Sequence, residues 1–319
     1  MEYPYYTGQT LDDVMRSVIS DILSDGAWIQ PSKGQCKELT GVLIEITNPR
    51  ARISRTETKG KPFSSLGELC WYLSKDNDLE TISYYIHRYK EAADGGIIYG
   101  GYGPRLFHWK GVNQISQVIN TLRKKPFSRQ AVIQLFDATD LIEVHNDVPC
   151  TCNMQFMIRD SKLQMMTYMR SNDVLLGLPH DVFCFTMLQE IIARTLNVEI
   201  GTYKHSVGSL HIYEEEIKDA QQFLNEGWQP TNITMPPMPA GDPWNSIDLL
   251  LKLEPIIRNG RENIMDIDKE LDPYWADLVR LLQIYRYLKD RNTEAAYELR
   301  DKMVSKIYDA FINKKASRT

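Results

Sequence analysis

Val148-Pro149-Cys150-Thr151-Cys152, then Tyr168-Met169-Arg170-Ser171-Asn172-Asp173, then Gly177-Leu178-Pro179-His180-Asp181, and finally Gly208-Ser209-Leu210-His211-Ile212-Tyr213 make up the stretch on which the reading of this chain turns. It gathers a thiol, an arginine beside a hydroxyl, an aspartate after a Gly-Leu-Pro turn and a His-x-Tyr pair. Short apolar runs bounded by turn residues predict strands over 152–158 and 163–168. A helix is expected from 181 to about 196, with Phe185, Leu188, Ile191 and Ile192 on its buried stripe. A lone cysteine such as Cys150 is usually a small buried apolar residue. Cys150 and Cys152 with His145 suggest zinc, but no second pair completes the spacing, so no metal site is expected. A nucleophilic thiolate needs positive charge nearby to lower its pKa. Arg170 supplies it if adjacent strands set the two residues opposite each other.

Upstream, residues 10–24 read as an amphipathic helix with Thr10 as cap, and 41–47 as a strand. The run 48–61 is rich in cations. It is either a solvated loop or a source of one or two side chains for an anionic substrate; which of Lys33, Arg50, Arg52 and Arg55 touch a phosphate is left open. Residues 64–74 are expected to form a buried helix. Glu68 within it is either a surface residue or a carboxyl held in a pocket with a raised pKa; residue type alone favours the surface. A glycine-rich run from Gly95 to Gly103 lacks the Gly-Lys-Ser/Thr of a nucleotide P-loop and suits close backbone packing beside a ligand. A helix over 111–125 leads through Ser128-Arg129-Gln130 into a strand over 131–136. Arg129 there is either a phosphate ligand or an ordinary surface residue.

Beyond Tyr213 the character changes. A helix over 214–227 precedes a Pro-rich linker, and helices over 246–253, 273–288 and 293–311 follow. This gives a catalytic domain over 1–230, a linker over 231–245 and a helical extension over 246–319, packed on its own chain or on a partner subunit. The whole chain bounds the answer more loosely. Apolar residues at 43%, charged residues at 25% and a net charge of −5 describe a soluble globular protein and exclude a broadly basic nucleic-acid binder. Five cysteines, an odd number, read as reduced thiols rather than a disulfide framework. No signal segment is visible in residues 1–8 and no apolar run has bilayer length, so a cytoplasmic protein is expected.

The order of Pro149-Cys150, Arg170-Ser171-x-Asp173, Gly177-Leu178-Pro179 and His211-x-Tyr213 resembles the thymidylate synthase superfamily. So do Glu68 in Gly-Glu-Leu-Cys-Trp-Tyr-Leu, Tyr99-Gly100 and Ser128-Arg129. The resemblance runs over roughly 10–213. It implies an α+β fold with a large mixed sheet, in a homodimer whose sheets pack back to back. It also implies roles. Cys150 adds to C6 of a pyrimidine nucleoside monophosphate, and C5 then attacks the methylene carbon of 5,10-methylenetetrahydrofolate. Arg170 and Ser171 hold the 5′-phosphate together with Arg129 of the other subunit, where the forked guanidinium suits a phosphate. His211 and Tyr213 hold the sugar. Asp173, Gly177 and Tyr89 belong to the folate end, and Glu68 with Tyr99 manages proton transfers, which reverses the surface reading of Glu68.

The departures from the resemblance bear on the substrate. Family synthases carry Gly-x-Pro-Phe-Asn where this chain has Gly177-Leu178-Pro179-His180-Asp181. An Asn pairs with uracil by accepting from N3–H and donating to O4. An ionised Asp only accepts, which suits the 4-amino group of cytosine with a shared proton at N3. A mismatched buried hydrogen bond costs about 1–3 kcal/mol, enough to set a preference. The same change marks the CMP and dCMP hydroxymethylases of the superfamily. Thr151, Gln130 and Met169 also depart, and the aromatic pair near the folate is reduced to Tyr89 and Ala92, a weaker platform that lets water reach an exocyclic methylene. The expected activity is folate-dependent 5-hydroxymethylation of CMP or dCMP. The alternatives are a divergent thymidylate synthase acting on dUMP and a non-catalytic nucleotide-binding protein.

Overall fold

Long strands on either side of Cys150 organise the molecule. The computed structural model describes residues 4–260 and 266–318; residues 1–3 of the amino-terminal stretch read for a signal lie outside them, as do 261–265 and 319 of the expected extension. The strands are β1 (Tyr5–Gly8), β2 (Ala27–Ile29), β3 (Cys36–Ile46), β4 (Val132–Gln134), β5 (Thr151–Arg159), β6 (Lys162–Asp173) and β7 (Glu199–Tyr213). They form one sheet in the order β1-β3-β7-β6-β5-β4, with β2 paired to β3. The pairs β1–β3 and β6–β7 are parallel and the other pairs antiparallel, so the sheet is mixed. With its flanking helices it is the α+β architecture expected.

The helices are α1 (Leu11–Asp25), α2 (Pro62–Leu73), α3 (Leu79–Tyr85), α4 (Tyr102–Phe107), α5 (Gln114–Lys124), α6 (Leu178–Thr195), α7 (Ile217–Asn225), α8 (Trp244–Arg258), α9 (Ile267–Glu270), α10 (Pro273–Lys289), α11 (Thr293–Lys302) and α12 (Asp309–Ala316). Local chemistry sets several ends. Thr10 and Asp13 form a reciprocal capping box at the start of α1, with Asp13 N to Thr10 Oγ1 at 3.1 Å and Thr10 N to Asp13 Oδ2 at 3.0 Å. Pro179 lies in the first turn of α6, where its missing N–H costs nothing, so the helix starts at Leu178 and Asp181 falls inside it. The expected helix over 293–311 is broken, because the Val304 and Ser305 amides turn to the Asp277 carboxylate at 3.1 and 2.8 Å.

Alternation decides which face of the sheet is covered. Ile133, Met154, Thr167, His205 and Ile44 form one row across five strands, and every member is 0% exposed. Helices α1, α5 and α6 lie on the sheet, and α2 packs on α6. Exposed Val132 and Tyr168 belong to the opposite face. The expected strand over 163–168 runs on to Asp173 because parallel β7 gives it a partner edge: Ser171 pairs with Ser209 and Asp173 with His211. Crossover helix α6 makes that parallel pairing possible.

The carboxy-terminal helices pack on their own chain. α8 and α10 lie on α2, and Leu250, Leu278, Leu281, Leu282 and Ile284 join the same apolar core as the sheet. Tyr85 Oη donates to Glu254 at 2.7 Å and the Met235 amide to the Arg50 carbonyl at 3.0 Å. The segment expected as a linker is therefore tied down, with Met235 and Met238 buried. As a result, α2 is enclosed on nearly all sides. Among the described residues no helix is long and apolar enough to cross a membrane.

Candidate active site

A cavity of about 690 Å³ opens where β6 and β7 end, walled by α2, the start of α6 and the segments around Pro31–Lys33 and His145–Cys150. Backbone register puts the thiol there: the Arg170 amide donates to the Cys150 carbonyl at 2.9 Å, which sets the two residues opposite each other. Arg170 then folds back, Nε to the Pro149 carbonyl at 3.0 Å and Nη2 to the Val148 carbonyl at 3.1 Å, leaving Nη2 3.6 Å from Cys150 Sγ. Burial pushes the thiol up to about 11; Arg170 and Lys33 draw it down, while Asp147 and Asp181 oppose them. Of the cations left open by the sequence, Lys33 lines the cavity. Arg50 and Arg52 instead hold Glu190 at 2.7 and 2.5 Å, and Arg55 donates to the Ile307 carbonyl.

Glu68 projects from α2 into the cavity and is 4% exposed, so the surface reading of it is wrong: α2 has no solvent face. Its Oε1 accepts from Tyr72 Oη at 3.0 Å and from Tyr89 Oη at 2.6 Å, while Oε2 is buried without a donor. Desolvation raises the carboxyl to about 7, and the two tyrosines temper the rise. A group titrating there can both give and take a proton. Asp181, one turn into α6, is half-buried at the cavity wall and held well above the usual carboxylate range, by desolvation first and by Glu68 second. Its Oδ2 accepts from Asn172 Nδ2 at 2.6 Å. A neutral Asp181 no longer opposes the Cys150 thiolate.

At the far end, Asp173 Oδ1 accepts from the Leu175 and Leu176 amides, both at 2.7 Å, and the same carboxylate hydrogen-bonds with the Glu216 carboxyl. Glu216 lies against it, its carboxyl raised to about 8 by burial and by Asp173. Gly177 is needed for close approach: a Cβ there would stand 3.1 Å from Asn172 Nδ2. Ser171, His211 and Tyr213 line the same cavity, the last two rings edge-to-face at 4.9 Å. His180 is neutral, its pKa lowered to about 4 by burial; Nδ1 donates to the Leu176 carbonyl, so Nε2 accepts from Ser64 Oγ at 2.9 Å.

One expected residue is elsewhere. Tyr99 does not meet Glu68: its hydroxyl donates to Asp140 Oδ1 at 3.0 Å beside the buried Arg105–Asp140 pair, and its ring stacks on His145 at 3.4 Å. Tyr89 and Tyr72 fill the place beside Glu68. Arg129, expected from the other subunit, is exposed and off the wall of its own chain's cavity, with its carbonyl accepting from Gln155. The sequence reading passed over Tyr72, Asn172 and Asp147. Tyr72 was findable, one helical turn after Glu68; Asn172 and Asp147 carried no signal of their own. All five cysteines are free, and among the described residues no cluster of His, Cys, Asp and Glu could hold a metal.

A model of the family described as thymidylate synthase matches residues 16–239. The deoxyuridylate hydroxymethyltransferase of Bacillus phage SP01 is 28% identical over 229 residues, which are 66% of this chain and 59% of that protein. The chain thus spans less than two thirds of that relative's length.

Proposed function

The chain belongs to the thymidylate synthase family, and from that premise we propose that it transfers a one-carbon unit from 5,10-methylenetetrahydrofolate to C5 of a cytidine nucleotide, CMP or dCMP, and lets water complete a 5-hydroxymethyl product. One observation carries the reading: a thiol 3.6 Å from Arg170 Nη2 shares a cavity with the carboxyl of Glu68, raised to about 7, and the carboxyl of Asp181, which stands above its ordinary range. Cys150 is the nucleophile for C6, and Arg170, Ser171 and Lys33 receive the phosphate. His211 and Tyr213 receive the sugar, and Glu68 moves protons at the base. The folate supplies the one-carbon unit. A pterin is supported by the aromatic wall of Trp71 and Tyr89, with Asp173 at the same end of the cavity.

The base is read at Asp181. As a neutral acid it donates O–H to N3 of cytosine and accepts from the 4-amino group, so no protonated cytosine is required. A second reading has support of its own. The phage relative is named for deoxyuridylate, and the same acid, with its proton on the other oxygen, accepts from uracil N3–H and donates to O4. The open sheet face with exposed Val132 and Tyr168, and Arg129 at its edge, supports a homodimer that shares Arg129.

Incubation with dCMP, CMP and dUMP plus methylenetetrahydrofolate, with products resolved by mass, tests this. A cytidine product heavier by CH2O is expected; methylated dUMP as the main product overturns the hydroxymethyl reading. Asp181→Asn should move preference towards the uracil nucleotide by roughly 10-fold or more, since one mismatched buried hydrogen bond is worth about 1–3 kcal/mol. An unchanged preference removes Asp181 from base selection.

A further inference from the structure

Cytosine and uracil present opposite orders at N3 and C4: acceptor then donor for cytosine, donor then acceptor for uracil. A neutral carboxyl satisfies either one by carrying its proton on one oxygen or the other. An acid at position 181 therefore discriminates nothing by itself, whereas an amide there has its donor and acceptor built in. Some neighbour must break the symmetry of the Asp181 carboxyl if it is to choose.

Asn172 is placed to do so. Its Nδ2 donates to Asp181 Oδ2 at 2.6 Å, and both residues line the cavity. Asn172 is 3% exposed, held at the end of β6 by parallel pairing with Leu210 on β7. The Asp181 and His180 amides both reach back to the Gly177 carbonyl, at 3.0 and 2.9 Å, which closes the turn over the Asn172 amide. An oxygen that accepts such a bond keeps its lone pair for it, so the proton belongs on Oδ1. Desolvation and the neighbouring Glu68 both shift Asp181 towards the neutral form, for which this ordering matters.

We propose that Asn172 is a positioning residue for base selection, fixing which Asp181 oxygen bears the proton and hence which pyrimidine edge fits, an assignment that rests on the reading that Asp181 meets the base. Asn172 acts through Asp181, to which it donates. Its loss frees the acid to move its proton and match both bases.

The test is the ratio of kcat/KM for dCMP over dUMP in the full chain. Asn172→Ala should bring the ratio towards one by roughly 10-fold, the scale of one hydrogen bond, with most of the change in KM. A merely structural role would lower both rates together and leave the ratio in place, and that result overturns the proposal. Should Asn172→Ala not fold, Asn172→Ser carries the same expectation, and dCMP and dUMP binding measured calorimetrically gives the ratio without turnover. Asp181→Asn separates the two levels. If it leaves the base preference unchanged, the base reading fails; if it shifts the preference while Asn172→Ala does not, only the role of Asn172 fails. In an Asp181→Asn background Asn172→Ala should leave the ratio alone, because an amide has no proton to place; a persisting effect counts against the mechanism.

Discussion

Helix α6 carries a half-buried carboxylate, Asp181, at its start and a buried one, Glu190, toward its end, and the two are treated in opposite ways. Toward the end of the helix, Glu190 accepts from Arg50 Nε at 2.7 Å, Arg52 Nη2 at 2.5 Å and the Met238 amide at 3.1 Å, and its pKa is lowered despite burial. At the start, Asp181 has one donor, Asn172, and faces Glu68; both carboxyls are raised. Burial does not separate Glu190 from Glu68, the carboxyl that Asp181 faces, for they are 1% and 4% exposed. What differs is pairing. Two cations hold Glu190 ionised as a brace between α6, the loop after β3 and the segment of Met238, whereas Glu68 is left short of donors and keeps a proton to exchange. A buried acid without a cation marks chemistry here, and a buried acid with two marks architecture.

The largest expected effect tests the unpaired end. Glu68→Gln keeps shape and hydrogen-bonding capacity but removes the exchangeable proton, so kcat should fall by about 10²–10⁴-fold. Stability should move the other way. Because the folded pKa of Glu68 lies near 7 and its ordinary value is 4.5, the native state binds the extra proton, and its stability declines as pH rises from about 4.5 through about 7. Glu68→Gln should flatten that slope and stabilise the protein at pH 8, by at most roughly 3 kcal/mol. Urea titrations at pH 5 and pH 8 measure it. A variant equally destabilised at both would show that Glu68 is a brace like Glu190.

The paired end should behave in mirror image. Glu190→Ala strands two guanidinium groups, Arg52 being 0% exposed, and should cost about 3–5 kcal/mol of stability. KM and kcat per folded molecule should stay close to the parent. In the parent, the contribution of Glu190 is present above its ordinary carboxylate pKa and is lost as pH falls through its lowered folded value. If Glu190→Ala instead abolished nucleotide binding without unfolding, the division between brace and site would be wrong.

That division was only half legible in the sequence. Cys150, Arg170, Asp173, Asp181, His211 and Tyr213 were marked by motif, and strand alternation was enough to set β5 against β6. The cation-rich loop stayed open, and Glu68 was misplaced by residue type until the resemblance reassigned it, for the same reason: burial is a tertiary property. Arg50 and Arg52 read as solvated or substrate-facing, yet Glu190 of α6 claims both. Glu68 read as a surface residue because a helix usually keeps a polar face, but α8 and α10 cover α2 from a segment far along the chain. Tyr99 was misassigned because the Arg105–Asp140 pair that captures its hydroxyl is invisible to spacing.

The finest test asks what tunes Glu68. Tyr89 and Tyr72 both donate to Oε1, and each favours the ionised form, working against desolvation. Tyr89 also meets Trp71 edge-to-face at 5.4 Å, so its ring is held by packing that a phenylalanine would keep. Tyr89→Phe removes only the hydroxyl. The Glu68 pKa should then rise, and the acid limb of the pH–rate profile should move upward by up to about one pH unit, the equivalent of about 1.4 kcal/mol. Where Glu68 acts as the base, kcat at pH 7 falls accordingly and recovers as pH is raised. A uniform loss at every pH would mean that the hydroxyl positions substrate instead, and the proton balance at Glu68 would then rest on Tyr72 alone.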